Sequence, residues 1–278
     1  MSKKPLFVSG FFYRVRSSLF LANGRICATI FLMPKPECDI RIGTSGWHYG
    51  HWEGLYYPAG LPKSKWFEYY AKDFDTVEIN NTFYQLPKQE TFKNWHKQAP
   101  DNFIYTVKAN RFITHIKRLK DAEETLPRFF ERAELLKESL GPILYQLPPG
   151  FHKDLDRLRD FLQVLPRNRT AVFEFRHESW FSQDTYDLLD KFGVGFCIHD
   201  LLGVPTPRVI TGQVIYIRFH GTIGRYDGNY SKSALKNWAE WIKEHISQVR
   251  SVYAYFNNDV SGHAVANALT MKEYFDIE

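Results

Sequence analysis

Three cysteines, Cys27, Cys38 and Cys197, are all that this 278-residue chain contains, and no two of them form a CxxC pair. That excludes a disulfide framework and a paired thiolate metal site, and it favours a reducing, cytoplasmic compartment. Neither HxxxH nor GxSxG occurs, so no helical zinc motif and no nucleophile elbow can be read. Ser45 stands in GTSGW, and Cys197 sits in mid-strand beside no obvious base. Internal repeats and low-complexity tracts are missing too, which points to one folded domain.

Acidic residues are absent from residues 1–36, which hold six basic residues and two apolar patches, 18–22 and 26–33. Neither patch approaches the roughly 18 apolar residues of a membrane span. Basic residues ahead of an apolar run fit a targeting peptide, yet no small-residue cleavage site follows. Residues 1–36 are therefore read as an extension outside the fold, poorly ordered. That is compatible with an upstream reading of the gene in which Met33 is the start. The other 30 basic and 31 acidic residues leave residues 37–278 at −1, so the formal net charge of +5 belongs to the extension. A body without positive surplus has no bulk attraction for nucleic acid or for a membrane.

What the body does have is apolar material: 44% of the chain is hydrophobic and 17% aromatic, ample for a sizeable core. Eight short apolar runs lie at 40–43, 76–80, 103–109, 142–147, 170–176, 195–199, 214–220 and 251–257. Between them fall amphipathic stretches at 65–72, 89–98, 126–139, 155–165, 183–192, 232–246 and 260–275. Ser64, Ser182 and Ser231 stand where N-caps belong. Strands alternating with helices predict parallel βαβ units, and eight of them predict an α/β, TIM-like (β/α)8 barrel over residues 37–278. Pro205 and Pro207 forbid a regular helix in DLLGVPTPRVITG (200–212), so an irregular loop is expected to replace the sixth helix.

In such a barrel the C-terminal ends of the strands build the site. The run TAVFEFRHESW (170–180) places Val172, Glu174 and Arg176 on one face and Phe173, Phe175 and His177 on the other. The same alternation groups Glu78 with Asn80, Thr106 with Lys108, Leu144 with Gln146, and Tyr216 with Arg218 and His220. Five strands thus aim polar groups into an interior that branched apolar side chains normally fill. Unpaired charge there is costly. Glu78 is expected to meet Lys108, and Glu174 to meet Arg218 or Arg176.

Seven motifs carry a resemblance. In order they are IGTSGW (42–47), TVEINNTFYQLP (76–87), a VKA strand with THIKRL (114–119), GPILYQLPP (141–149), FEFRHESW (173–180), IRFHG (217–221) and YFNND (255–259). Together they resemble the YecE-like family, the DUF72 domain, over about residues 40–272. The resemblance implies a TIM-like barrel with a polar cavity at the strand C-termini and leaves the chemistry open. The departures are the N-terminal extension and residues 203–207, a loop shorter on polar residues than the family pattern.

Glu78 and Glu174 across a barrel mouth match the carboxylate pair of glycoside hydrolysis, with Trp47, Tyr84 and Trp180 available to stack on a sugar. Tied up by Lys108, Arg176 and Arg218, however, both would stay ionised and unfit as acids. His177, His199, His220 and Asp200 raise a zinc or manganese site. His177 falls on the outward face, and no metal ligand is assigned. Lys108, Arg111, His115, Arg176, Arg218 and His220 form a cationic rim. With the amides of Gly221-Thr222-Ile223-Gly224 it suits a phosphate or carboxylate.

The reading adopted is a cytoplasmic barrel protein that binds or acts on a small polar, anionic molecule. If it is an enzyme, of the hydrolase or the lyase and isomerase type, Glu174 is the expected base, with Lys108 and Arg218 as charge stabilisers. Glu78, Asn80, Tyr84 and Gln146 are the expected substrate-binding residues, along with Arg176, Trp180, His220 and Asn257. The alternatives are a metal-assisted hydrolase of a phosphoester or sugar, and a non-catalytic module presenting the mouth to a protein or RNA. Nucleic acid is disfavoured and no membrane partner is expected. No cofactor and no oligomeric state follow from the residues.

Overall fold

The structure, a computed structural model, describes residues 13–22, 25–34, 38–201, 206–224 and 226–277. The chain forms two compact units, Met1–Cys38 and Asp39–Glu278. In the first, β1 (Tyr13–Ala22) and β2 (Arg25–Pro34) pair antiparallel, from Tyr13 opposite Pro34 to Ala22 opposite Arg25. An Asn-Gly pair between two apolar runs is the sequence signal of such a hairpin. The expectation of poor order over residues 1–12, 23–24 and 35–37 falls outside the described residues.

In the second unit eight parallel strands close a barrel. They are β3 (Asp39–Thr44), β4 (Thr76–Ile79), β5 (Ile104–Lys108), β6 (Leu140–Gln146), β7 (Ala171–Glu174), β8 (Gly195–His199), β9 (Val214–Phe219) and β10 (Ser251–Phe256). The last strand pairs back onto β3, Val252 opposite Ile40. The outer layer comprises α1 (Trp66–Tyr70), α2 (Asn81–Tyr84), α3 (Gln89–Gln98), α4 (Ala122–Ala133), α5 (Leu155–Val164), α6 (Gln183–Lys191), α7 (Lys232–His245) and α8 (His263–Glu273). The architecture is the expected TIM-like (β/α)8 barrel, and no helix lies between β8 and β9 among the described residues. Thr206 pins that loop, its hydroxyl donating to the His199 carbonyl at 2.6 Å and accepting from the His199 amide at 2.7 Å.

Two local departures have simple causes. Helix α4 begins four residues before the expected start at 126, because Ala122 and Thr125 already sit on its buried face with Leu126, Phe129, Phe130 and Ala133. Both are weakly apolar, so the pattern is hard to see there. Ser231 caps α7, accepting from the Ala234 amide at 3.1 Å. Ser64 instead lies inside a tight turn, Lys63–Lys65, ahead of α1.

The barrel interior is filled in tiers. Leu144, Val172, Cys197, Val214, Tyr216, Tyr253 and Tyr255 pack together as one cluster, with Ile104 against them. The Tyr255 hydroxyl joins Thr76 (2.7 Å) and Thr106 (2.8 Å), which turns an apolar core into a hydrogen-bonded one. One step further along each strand stand Glu78, Lys108, Gln146, Glu174 and Arg218. Phe173 and Phe175 face the helices. Phe175 stacks on Trp180 at 4.7 Å, and the Trp180 indole N–H donates to the Phe151 carbonyl at 2.7 Å. Trp180 is fully buried, so the expectation of a substrate-binding tryptophan there is corrected: the chain after β7 folds it under the helical layer. Trp47 likewise packs edge-on against Phe67 and Trp95, and of the three mouth aromatics Tyr84 alone is exposed, at 73%.

Trp180→Ala is expected to cost about 3–5 kcal/mol of stability, measured by urea unfolding. Trp180→Phe should recover most of that loss. A Trp180→Ala protein of unchanged stability would show that this ring is not part of the core.

Candidate functional site

Arg218, at the end of β9, lies fully buried between two carboxylates that strands across the barrel deliver. Its Nε and Nη2 donate to Glu78 at 3.0 and 2.7 Å, and its Nη1 donates to Glu174 Oε2 at 2.6 Å. Glu78 also accepts from Ser45 Oγ (2.8 Å), the Tyr216 hydroxyl (2.6 Å) and Asn80 Nδ2 (3.1 Å). The expected pairing of Glu78 with Lys108 is thus replaced by pairing with Arg218, whose planar fork can serve two carboxylates at once.

Burial by itself would raise both carboxyls. The Arg218 charge, with hydrogen bonds from Arg218, Tyr216 and Ser45, holds Glu78 below its ordinary range. Against the same burial, the charges of Arg176 and Arg218 hold Glu174 well below it. A carboxylate kept ionised in this way has little basicity. The geometry therefore gives Glu174 the task of fixing two guanidiniums in place of the expected task of base.

Arg176, following β7, pairs with the other oxygen of Glu174. Two carboxylates are then balanced by two guanidiniums, and Lys108, the last residue of β5, is the cation left over. Its ammonium makes no ion pair or hydrogen bond among the described residues and lies 4.4 Å from the centroid of the Phe83 ring. Burial, and next the charge of Arg218, push its pKa down to about 7, with Glu174 and Glu78 opposing only in part.

A cavity of about 590 Å³ opens in front of this amine. Its polar lining is Lys108, Arg111, His115, Gln146, Arg176 and the two tyrosines Tyr84 and Tyr226, with Phe83, Pro149 and Leu201 between them. No Asp or Glu is among these lining residues. Successive strand ends build the wall. Phe83 and Tyr84 come from α2, held over β5 by Thr82, whose hydroxyl donates to the Lys108 carbonyl at 2.7 Å. Arg111 and His115 come from the wide helical turn Phe112–Ile116 and the residue before it. Burial, followed by the charges of Lys108 and Arg111, lowers His115 to about 4, so its ring is neutral at pH 7. Arg176 Nε is buried and has no hydrogen-bond partner among the described residues.

The histidines behind the cavity are engaged with protein groups. Arg176 donates to His220 Nε2 at 3.0 Å, and the Nδ1 of the same ring lies 3.2 Å from Asn257 Nδ2. Burial and then Arg218 keep His220 well below its ordinary pKa. His199 Nε2 donates to the Phe175 carbonyl at 3.0 Å, and His177 pairs with Ser179 at 2.9 Å. Asp200 accepts from the His220 amide at 2.7 Å and from the Tyr230 hydroxyl. Among the described residues no group of three or more His, Cys, Asp or Glu side chains stands together as metal ligands.

Among the described residues, two of the four amides of residues 221–224, in the loop after β9, are engaged within the protein, Ile223 donating to the Asp227 carbonyl at 3.4 Å. The Gly221 amide donates to the Tyr230 hydroxyl at 2.9 Å. Gly221 has φ +110°, and a Cβ there would lie 2.0 Å from the Asp227 carbonyl oxygen, so the glycine answers a close backbone approach. Of the residues expected at the site, Lys108, Tyr84, Gln146 and Arg176 line the cavity. Glu78, Asn80, Glu174, Arg218, His220 and Asn257 form the hydrogen-bonded support beneath it. Phe83 and Tyr226 were missed. Phe83 stands beside Tyr84 in NNTFYQLP, and only the helical turn of α2 shows that both rings face one space.

Fold and site together define a class: a closed parallel barrel with a cationic cavity where its strands end. A family model described as "Protein of unknown function DUF72" matches residues 41–278, and the chain belongs to that family. The UPF0759 protein YunF of Bacillus subtilis (strain 168) is 26% identical over 273 residues, covering 86% of this chain and 95% of the relative. The UPF0759 protein YecE of Escherichia coli (strain K12) is 32% identical over 145 residues, covering 52% of this chain and 51% of that one. Among solved structures, a DUF72 family protein from Thermotoga maritima is similar with a TM-score of 0.76 at 33% identity, covering 86% of this chain and 99% of its own. One from Enterococcus faecalis V583 has a TM-score of 0.69 at 22% identity, covering 88% and 100%, and shows the shared fold. Among the described residues no helix is long and apolar enough to cross a membrane.

Lys108 loses its proton near pH 7 in the folded chain and near about 10.4 when unfolded. Between those values the unfolded chain binds more protons, so stability rises with pH. Lys108→Met is therefore expected to stabilise the protein by roughly 2–4 kcal/mol at pH 6, with the gain shrinking toward zero by pH 10. Urea unfolding across that range checks it, and a gain independent of pH would rule it out. Arg218→Leu is expected to destabilise by about 3–5 kcal/mol, because it strands two buried carboxylates.

Proposed function

We propose that the cavity receives a small phosphorylated or carboxylated molecule, held by Lys108, Arg176 and Arg111. One observation carries this reading: among the described residues the Lys108 amine makes no ion pair or hydrogen bond, Arg176 Nε is buried without a hydrogen-bond partner, and the cavity that both residues line has no carboxylate in its lining. Stripping water from such groups is unfavourable unless something else satisfies them. An anion does so, and Gln146 and Tyr84 add hydrogen-bonding groups that can orient it. A cavity of about 590 Å³ suits a metabolite-sized ligand. The cations lie inside the barrel, and residues 37–278 sum to −1, which favours a small molecule over a nucleic acid. Three cysteines without a CxxC pair keep the cytoplasm as the compartment of this reading.

Anion binding raises the pKa of Lys108, so above pH 7 binding takes up a proton. A thermal-shift panel of small phosphates and carboxylates is expected to return hits whose affinity falls as pH rises from 7 to 9. In Lys108→Met the pH dependence should vanish, and in Arg176→Gln the affinity should drop at least about tenfold, the loss of one charge-assisted contact. A panel without hits, or hits indifferent to both substitutions, would defeat the reading.

A further inference from the structure

We propose that Lys108 is a nucleophile that forms an imine with the carbonyl carbon of a small anionic aldehyde or ketone bound in this cavity. The inference rests on the anion-binding reading and names the reactive half of the ligand. A lysine kept for structure is paired, whereas this one ends a barrel strand with its nitrogen against the Phe83 ring and facing the cavity. Burial opposes its proton most, Arg218 and Arg176 oppose it as neighbouring charges, and Glu174 and Glu78 favour it. Arg111 and His115 face it from the turn after β5. His115 is neutral and packs edge-on against the same Phe83 ring, centroids 4.8 Å apart. Its Nδ1 bonds Thr114 Oγ1 at 2.9 Å, and its other ring nitrogen has no hydrogen bond among the described residues.

These parts suffice for amine condensation. The lone pair of the neutral Nζ attacks the carbonyl carbon, the N–C bond forms, and the C=O π pair moves to oxygen. The His115 ring can take one proton that the nitrogen sheds and return it to that oxygen, giving a neutral carbinolamine. A second proton, taken up from solvent, then goes to the hydroxyl, which leaves as water as the nitrogen lone pair forms C=N and the nitrogen keeps its remaining hydrogen. The anionic substituent, held by Arg176 and Arg111, then lies beside the protonated imine, a cation in the place of the ammonium.

The test uses the full chain with glyoxylate, pyruvate and glyceraldehyde 3-phosphate as probes, each with sodium cyanoborohydride, which delivers hydride to an imine and fixes it as a secondary amine. Peptide mapping by mass spectrometry is expected to find the adduct on Lys108 at pH 7 at least about tenfold faster than on exposed lysines, whose ammoniums stay protonated there. The rate should rise through pH 7 and level off. The corresponding peptide of Lys108→Arg should carry no adduct, while the exposed lysines of that variant label as they do in the unsubstituted chain. Labelling of Lys108 no faster than of exposed lysines, for all three probes, overturns the imine. If thermal shifts by phosphates and carboxylates persist in that case, the anion site stands without it; if they are absent too, both readings fall.

Discussion

The arrangement that everything else here depends on is one guanidinium held between two carboxylates. Arg218 reaches Glu78 with one edge and Glu174 with the end of its fork, and neither the acids nor the arginine touches water. A barrel of eight short strands would ordinarily close its centre with branched apolar layers. Here the upper layer is ionic, tolerable because each carboxylate meets a guanidinium and Glu78 also accepts from Ser45, Tyr216 and Asn80. Such a cluster adds little net stability over an apolar core, but breaking it is costly, which fixes the relative positions of β4, β7 and β9.

From that fixed set follows the state of Lys108. The carboxylates are already committed to Arg218 and Arg176, so the lysine enters a site whose negative charge is spoken for. It feels two neighbouring guanidiniums and little water. The cavity in front of it inherits the surplus, with Arg111 at the rim and an Arg176 Nε that has no hydrogen-bond partner among the described residues. The anion affinity proposed above would follow from how the core balances its charges.

Much of this was legible in the residues. Alternation along 76–80, 104–108, 170–176 and 214–220 gave the inward polar set, because a strand's side-chain period admits only two faces. Who pairs with whom was not legible, since Glu78 and Arg218 stand on strands that are not neighbours, and distance across a barrel is absent from the order of residues. Lys108 and Glu78 are on adjacent strands, which makes their pairing look natural, yet the fork of Arg218 reaches further and offers more donors. Trp180 misled for another reason. Alternation ends with β7, and the tight turn Glu178–Trp180 returns the ring to the helical side.

The cluster also shows why a lysine and two arginines are not interchangeable here. Arginine stays protonated under nearly any burial, so Arg176 and Arg218 can serve as permanent partners for Glu174 and Glu78. Lysine gives up its proton when desolvated beside like charge, and position 108 imposes both conditions. An arginine at 108 would force a third fixed cation into a site with two anions. A methionine would relieve the charge and remove the only amine that lines the cavity among the described residues. The sequence places at 108 the one basic side chain that could be a cation with the proposed anion bound and a neutral amine without it, and that pairing of states is the property the proposed chemistry would require.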